Sequence, residues 1–354
     1  MNQMPRSSEF LPDAAATPDD HPAVARGRVG VLLVNLGTPD GTSYWPMRRY
    51  LKEFLSDRRV IETPRLIWWP LLNGIILSTR PQKSGAAYAT IWNEEKNESP
   101  IRTFTRSQSH NLAERLSGMG PTLMVDWAMR YGQPSIADKM DGLMNAGCER
   151  ILIFPLYPQY SAATTGTVND KAFEWMTAQR WQPALRTVPP YHDDPLYIEA
   201  LATSITQHLE KLEFEPEVIL ASYHGVPKSY LMKGDPYHCQ CHKTTRLLKA
   251  HMGPAGDFIR TTFQSRFGPE EWLQPYTDKT IEALAKEGKK RIAVFNPGFV
   301  SDCLETLEEI AGEGEEIFHE HGGEDYSHIP CLNDSDIGMD VIEHLIRREL
   351  SGWI

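Results

Sequence analysis

Cysteine is scarce in this chain: five in 354 residues, at 148, 239, 241, 303 and 331. That number and scatter do not read as a disulfide framework, and reduced thiols in the cytosol are expected. Long apolar runs are missing as well. The greasiest stretch, "LIWWPLLNGIIL", is broken by Pro70, Asn73 and Gly74, so no bilayer span is expected. Positive charge is in deficit. A net charge of −11 disfavours a nucleic-acid partner and broad attraction to anionic lipid. Nucleotide fingerprints are absent: "NLGTPDG" does not have the G-x-G-x-x-G spacing and there is no Walker sequence, so no ATP requirement is expected. No internal repeat is visible. Residues 1–25, rich in Pro, Ala and Asp, lack the basic start and apolar centre of a signal peptide and read as a disordered leader. A cytoplasmic protein is expected, at most peripheral to the inner membrane.

What is present is globular. Apolar residues make up 41% and charged residues 23%, and the length suggests two domains. Eight short runs read as buried strands: "VGVLLVNL", "TLMVDWAM", "RILIFPLY", "LRTVP", "EVILASY", "DFIRTTF", "RIAVFNP" and "SHIPCL". Amphipathic helical stretches such as "PSIADKMDGLMNAG" separate most of them. This alternation predicts an α/β protein with two four-stranded parallel sheets flanked by helices. We divide it as 26–190 and 191–334, with a helix in 335–354 returning to the first domain.

Ligands of open α/β sheets bind beyond the carboxyl ends of strands, and the unusual residues gather there. His224 ends "EVILASYH"; it is either satisfied by a backbone hydrogen bond or functional. Glu305, Glu309 and Glu313 follow "RIAVFNP" at four-residue spacing, which aligns them on one helix face. They form either a solvated acidic face or a file that passes protons or cations. Asp302 and Glu305 also fit a helix-start pattern. Arg130, beside Tyr131, can grip a carboxylate bidentately or make an interdomain salt bridge. Trp272 is satellite core or an apolar ligand wall. Trp68 and Trp69 are core or a lip that greets a hydrophobic ligand. "HCQCH", holding His238, Cys239, Cys241 and His242, looks helical. Its two cysteines would then diverge by about 200°, which favours a structural role while leaving a surface metal site open.

Taken together, "VLLVNLGTPD", "ESPIR", "MRYGQP", "YPQYSAATTG", "SYHGVPKSYLMKGDPY", "TFQSRFGPEEWLQPYTD" and "NPGFVSDCLETLEEI" resemble ferrochelatases from about Arg28 to the end of the chain. The resemblance implies two Rossmann-like domains with a porphyrin cleft between them, and insertion of ferrous iron into protoporphyrin IX to make haem. It implies that His224 and Glu305 are the central pair, candidates both for catalysis and for holding the metal. It implies that Leu36, Arg130, Tyr131, Trp272 and Phe299 line or support the pocket, and that Asp302, Glu309 and Glu313 form a proton or metal relay. No organic cofactor is implied, and ferrous iron is a substrate. Some relatives carry histidine at the position of Cys303. Others bind an iron–sulfur cluster through a cysteine where this chain has Ala162 and through a C-terminal extension, so a cluster of that animal type is expected to be absent.

Metallation removes two pyrrole protons as one divalent cation enters. A ring bent by its apolar surroundings exposes its nitrogen lone pairs. Arg130 is a candidate to hold a propionate. We expect an imidazole and a carboxylate from separate halves of the molecule to face each other over that ring. Use of coproporphyrin or cobalt, or a non-catalytic haem or metal carrier, are the competing readings, and the oligomeric state is not legible.

Overall fold

The computed structural model describes residues 27–120 and 122–354; the expected leader lies outside the described residues. All eight expected strands are present: β1 Arg28–Gly37, β2 Leu123–Tyr131, β3 Cys148–Pro155, β4 Ala184–Thr187, β5 Val218–His224, β6 Ile259–Gln264, β7 Arg291–Phe295 and β8 Asp325–Ile329. They form two four-stranded sheets, ordered β2-β1-β3-β4 and β6-β5-β7-β8. Every strand pairing within them is parallel.

Alternation along the strands explains why such apolar runs are needed. Successive side chains leave opposite faces, and both faces of these parallel sheets are covered by helices. In β1, Val29, Val31 and Leu33 enter one core cluster while Leu32 and Val34 enter another. In β5, Ile219, Ala221 and Tyr223 join the first of these clusters, and Val218 and Leu220 join an outer one. A single core therefore runs from one sheet to the other. The helices Pro195–Leu209 and Asp336–Glu349 carry it across with Tyr197, Ile198, Ile342, Leu345 and Ile346. Full burial of each large aliphatic there contributes roughly 1.5–3 kcal/mol.

The helix Asp336–Glu349 lies against both Pro100–Arg115 and Pro195–Leu209. Ion pairs from Arg115 to Asp336 (3.0 Å) and Asp340 (2.5 Å) flank the first contact. Both aspartates are exposed, so these pairs add little beside the apolar contact.

Two glycines permit close approaches at strand tips. A Cβ on Gly37, at φ +115°, would lie 1.9 Å from the Tyr131 carbonyl oxygen. One on Gly225 would meet the Gln264 carbonyl oxygen at 2.7 Å and the Trp272 ring at 3.2 Å. Trp272 is itself buried under this turn.

Candidate active site

The tips of β5, β6 and β7 carry the candidate residues of the second sheet. His224 and Gln264 are register partners at the ends of β5 and β6. The Nδ1 atom of His224 lies 2.6 Å from the Gly225 carbonyl oxygen. A carbonyl only accepts, so Nδ1 carries a proton, and Nε2 is the ring nitrogen left to present a lone pair. The backbone hydrogen bond foreseen for an inert histidine is therefore real, and it also fixes the tautomer a base or ligand needs. Phe299 stands beside this ring, with centroids 6.4 Å apart.

Beyond β7 the chain enters a π-helix, Glu305–Glu313. Such widened turns are rare and recur at functional sites. The four-residue spacing still keeps the glutamates near one face, because a turn of about 4.4 residues drifts only slightly per step. Their surroundings differ. Glu305 and Glu309 are half-buried and Glu313 is exposed. Glu309 accepts from the Ser265 main-chain N–H at 2.7 Å and from the Ser265 hydroxyl. Burial raises its carboxyl above the usual range, and the neighbouring Glu305 adds to this. Hydrogen bonds from Ser265 and the nearby His224 oppose the shift without cancelling it. Burial, then the charges of Glu313, Glu309 and Glu305, likewise raises Glu308. A polar cavity of about 300 Å³ opens beside Glu309 and Glu313, with Ser265, Arg266 and Asp278 in its wall.

His224 and Glu305 both belong to the unit built on the second sheet, which corrects the expectation that they come from separate halves. The first unit supplies the surroundings of Glu305. Burial, and after it the Glu305 charge, pushes the Tyr88 phenol far above its ordinary value. Leu304 packs on the same cluster as Tyr50, Tyr88 and Leu36.

Arg130 is buried and engaged within the first unit. Its Nε donates to Thr167 Oγ1 at 2.7 Å and its Nη2 to Asp57. Asp57 also accepts from Tyr131 Oη and the Arg59 N–H, each at 2.8 Å. Burial would raise Asp57, but Thr167, Arg59, Arg130 and Tyr131 outweigh it and hold the carboxyl below its usual value. The ion pair is thus not interdomain. Its buried Nη1 has no hydrogen-bond partner among the described residues, with Glu53 at 3.9 Å. Tyr131 is fully buried. Asp302 is buried too, accepting from Thr306 Oγ1 at 2.8 Å and Asn333 Nδ2 at 2.7 Å. It ties the start of the π-helix to the loop after β8.

Trp68 is not part of an exposed lip: it is buried and donates to the Leu55 carbonyl at 2.7 Å. The exposed edge consists of Leu66, Ile67, Trp69, Leu71 and Ile75. "HCQCH" is helical, within Tyr237–Met252, with Cys239 exposed and Cys241 buried, as their divergence requires. His238 and His242 sit one turn apart with ring centroids at 4.5 Å. Among the described residues no three His, Cys, Asp or Glu side chains converge on one point. The Ala162 N–H donates to Asp235 at 2.7 Å.

Sequence reasoning missed Asp57, Tyr88, Gln264 and Ser265. Only the last two carried a signal, since they stand at a strand end inside "TFQSRFG".

Comparison with known proteins follows the same lines. Solved structures of SirB from Bacillus subtilis share the fold. One, with Fe3+, has a TM-score of 0.54 at 11% identity, covering 92% of this chain and 96% of that one. The other, a sirohydrochlorin chelatase in complex with cobalt, has a TM-score of 0.51 at 8% identity, covering 91% and 95%. At such identities the likeness concerns the fold alone. Sequence relatives are far nearer. A protein of Rhizobium meliloti named ferrochelatase is 68% identical over 335 residues, 95% of this chain and 98% of its own. One of Agrobacterium fabrum with the same name is 65% identical over 342 residues, 97% and 99% of the two chains. The ferrochelatase family profile matches residues 28–350. Two four-stranded parallel sheets, an imidazole at one strand tip and an acidic π-helix at the next thus accompany sequence kinship over nearly the whole chain: this chain belongs to the ferrochelatase family.

Proposed function

We propose that the chain inserts ferrous iron into protoporphyrin IX, releasing two protons, with His224 as the proton acceptor and Glu305 as the carboxylate that meets the metal. The observation that carries this is the tautomer of His224. With Nδ1–H committed to Gly225, Nε2 is a lone pair ready to take a pyrrole proton. Ferrous iron sits low in the affinity order, so carboxylate and imidazole bind it without trapping it. Buried thiols such as Cys303, whose proton burial makes hard to lose, are poor competitors for the ion.

The macrocycle lies against Phe299 and Leu36, with Trp272 and Tyr131 supporting the walls from within the core. Arg130 is buried, its Nη1 included, so its contacts make it an anchor for Asp57 more than a grip on a propionate. Protons or metal pass along Glu309 and Glu313 toward the polar cavity. Asp302 holds the first turn of that path. The apolar edge at Leu66, Ile67, Trp69 and Ile75 touches a membrane surface, where an apolar porphyrin is concentrated. No helix among the described residues is long and apolar enough to cross one.

The test is an anaerobic insertion assay on the purified protein with ferrous iron. A metalloporphyrin Soret band that grows with turnover supports the reading. Stoichiometric binding without conversion would identify a carrier instead. Competition between protoporphyrin and coproporphyrin, and between iron and cobalt, assigns the substrate.

A further inference from the structure

We propose that Gln264 and Ser265 are positioning residues that hold the π-helical glutamates in place for the metal step. This rests on the reading that those glutamates handle iron.

Gln264 is buried and its amide is fully used. Oε1 accepts from Ser222 Oγ and Asn296 Nδ2, each at 2.7 Å. Nε2 donates to the Glu305 carbonyl oxygen at 2.7 Å and to Glu309 Oε2 at 3.3 Å. The orientation of this amide is not free. A main-chain carbonyl only accepts, so the atom facing Glu305 must be nitrogen. Asn296 is fixed in the same way, donating to the Ser222 carbonyl at 3.1 Å while its Oδ1 meets His328 Nε2 at 3.1 Å. The Gln264 carbonyl in turn accepts from the Gly225 N–H at 2.8 Å. One residue thereby links the turn after His224 to the first carbonyl of the π-helix.

Ser265 completes the grip. It adopts φ +66°, a left-handed conformation that a residue with a Cβ avoids unless its surroundings enforce it. In that conformation its N–H reaches Glu309 Oε1 and its hydroxyl reaches Oε2. Both carboxylate oxygens are held by one residue. A π-helix is intrinsically less stable than an α-helix, so contacts from outside have to keep its register, and with it the aim of Glu305 and Glu309. The clamp is attached to β6, whose tip is locked to β5 beside His224.

Positioning differs from simple support of the fold in which substrate it affects. Gln264→Glu keeps the acceptor oxygen for Ser222 and Asn296 but turns a donor into a charge facing Glu305 and Glu309. It is expected to raise the half-saturating ferrous iron about tenfold while that for porphyrin stays within about twofold. Ser265→Gly removes the hydroxyl, keeps the N–H and relaxes the backbone. It should raise the iron constant about threefold without lowering the melting temperature, so it remains informative if Gln264→Glu folds poorly. Glu309→Gln serves as the reference. If it raises the iron constant and both clamp variants leave that constant unchanged, the clamp is overturned. A parallel rise of the iron and porphyrin constants in the clamp variants overturns it as well. If Glu309→Gln has no effect in an active protein, the glutamates do not handle iron and the underlying reading has failed.

Discussion

The two sheets share one strand order, yet matching tips hold opposite chemistry. In the first unit, Gly37 lies opposite Tyr131 at the ends of β1 and β2, and the neighbouring Arg130 closes on Asp57. In the second, His224 lies opposite Gln264 at the ends of β5 and β6. A π-helix follows the third strand of each unit. In the first it is the neutral Ala162–Gly166, capped by Ser161; in the second it is the acidic Glu305–Glu313. The first tip therefore neutralises itself. The second leaves His224 Nε2 without a hydrogen-bond partner among the described residues and crowds carboxylates together, where burial, and after it like charge, raises Glu308 and Glu309 above their ordinary value. The fold provides two equivalent positions, and on the proposed function the side chains make one a wall and the other a reaction site.

That contrast can be broken from either side. Glu305→Gln, in the reactive unit, is expected to lower turnover about 10²-fold or more with porphyrin binding preserved, as measured by insertion kinetics beside fluorescence quenching. Asp57→Asn, in the self-neutralised unit, should instead cost stability, about 3–5 kcal/mol, because it strands the buried Arg130 charge; denaturant unfolding measures it. The pH dependence follows from the direction of the Asp57 shift. Its carboxyl is held below its ordinary value when folded, so its contribution is complete above the ordinary carboxylate range and is lost as pH falls through the lowered value. Asp57→Asn should flatten that acid limb. Replacing Leu66 and Ile67 together by serine should weaken binding to lipid vesicles several-fold, with the melting temperature almost unmoved because both side chains are already exposed. The smallest effect is expected of Cys239→Ser: an exposed thiol outside both tips, its loss should leave insertion kinetics unchanged.

The strands were legible because parallel sheets bury both faces, so β1 and β5 appear as unbroken apolar runs. The strand-end rule then pointed at His224 and at the residues after β7 without any knowledge of side-chain contacts. What stayed hidden were pairings between distant segments. Arg130 meets Asp57 across 73 residues, and nothing local in either segment announces it. Trp68 and Trp69 look alike in sequence, but helix geometry turns one toward the Leu55 carbonyl and the other outward. The π-helix was invisible because its residues have ordinary helix propensity, and the contacts that reach its widened turns come from Gln264 and Ser265, 41 and 44 residues earlier, which local sequence does not encode. Glu305 follows β7 as read from the sequence, and the division at 191–334 already put it in one unit with His224; the expectation that the two come from separate halves ran against that division, and the order β6-β5-β7-β8 sets the β5 and β7 tips side by side.

The most direct test of the account is a single-turnover, anaerobic insertion measurement on His224→Ala, with porphyrin affinity determined on the same sample. We expect iron insertion to fall about 10²–10⁴-fold while the protein still binds porphyrin as the parent does. Insertion at the parent rate would contradict the central claim that the free imidazole nitrogen at the β5 tip accepts the pyrrole protons.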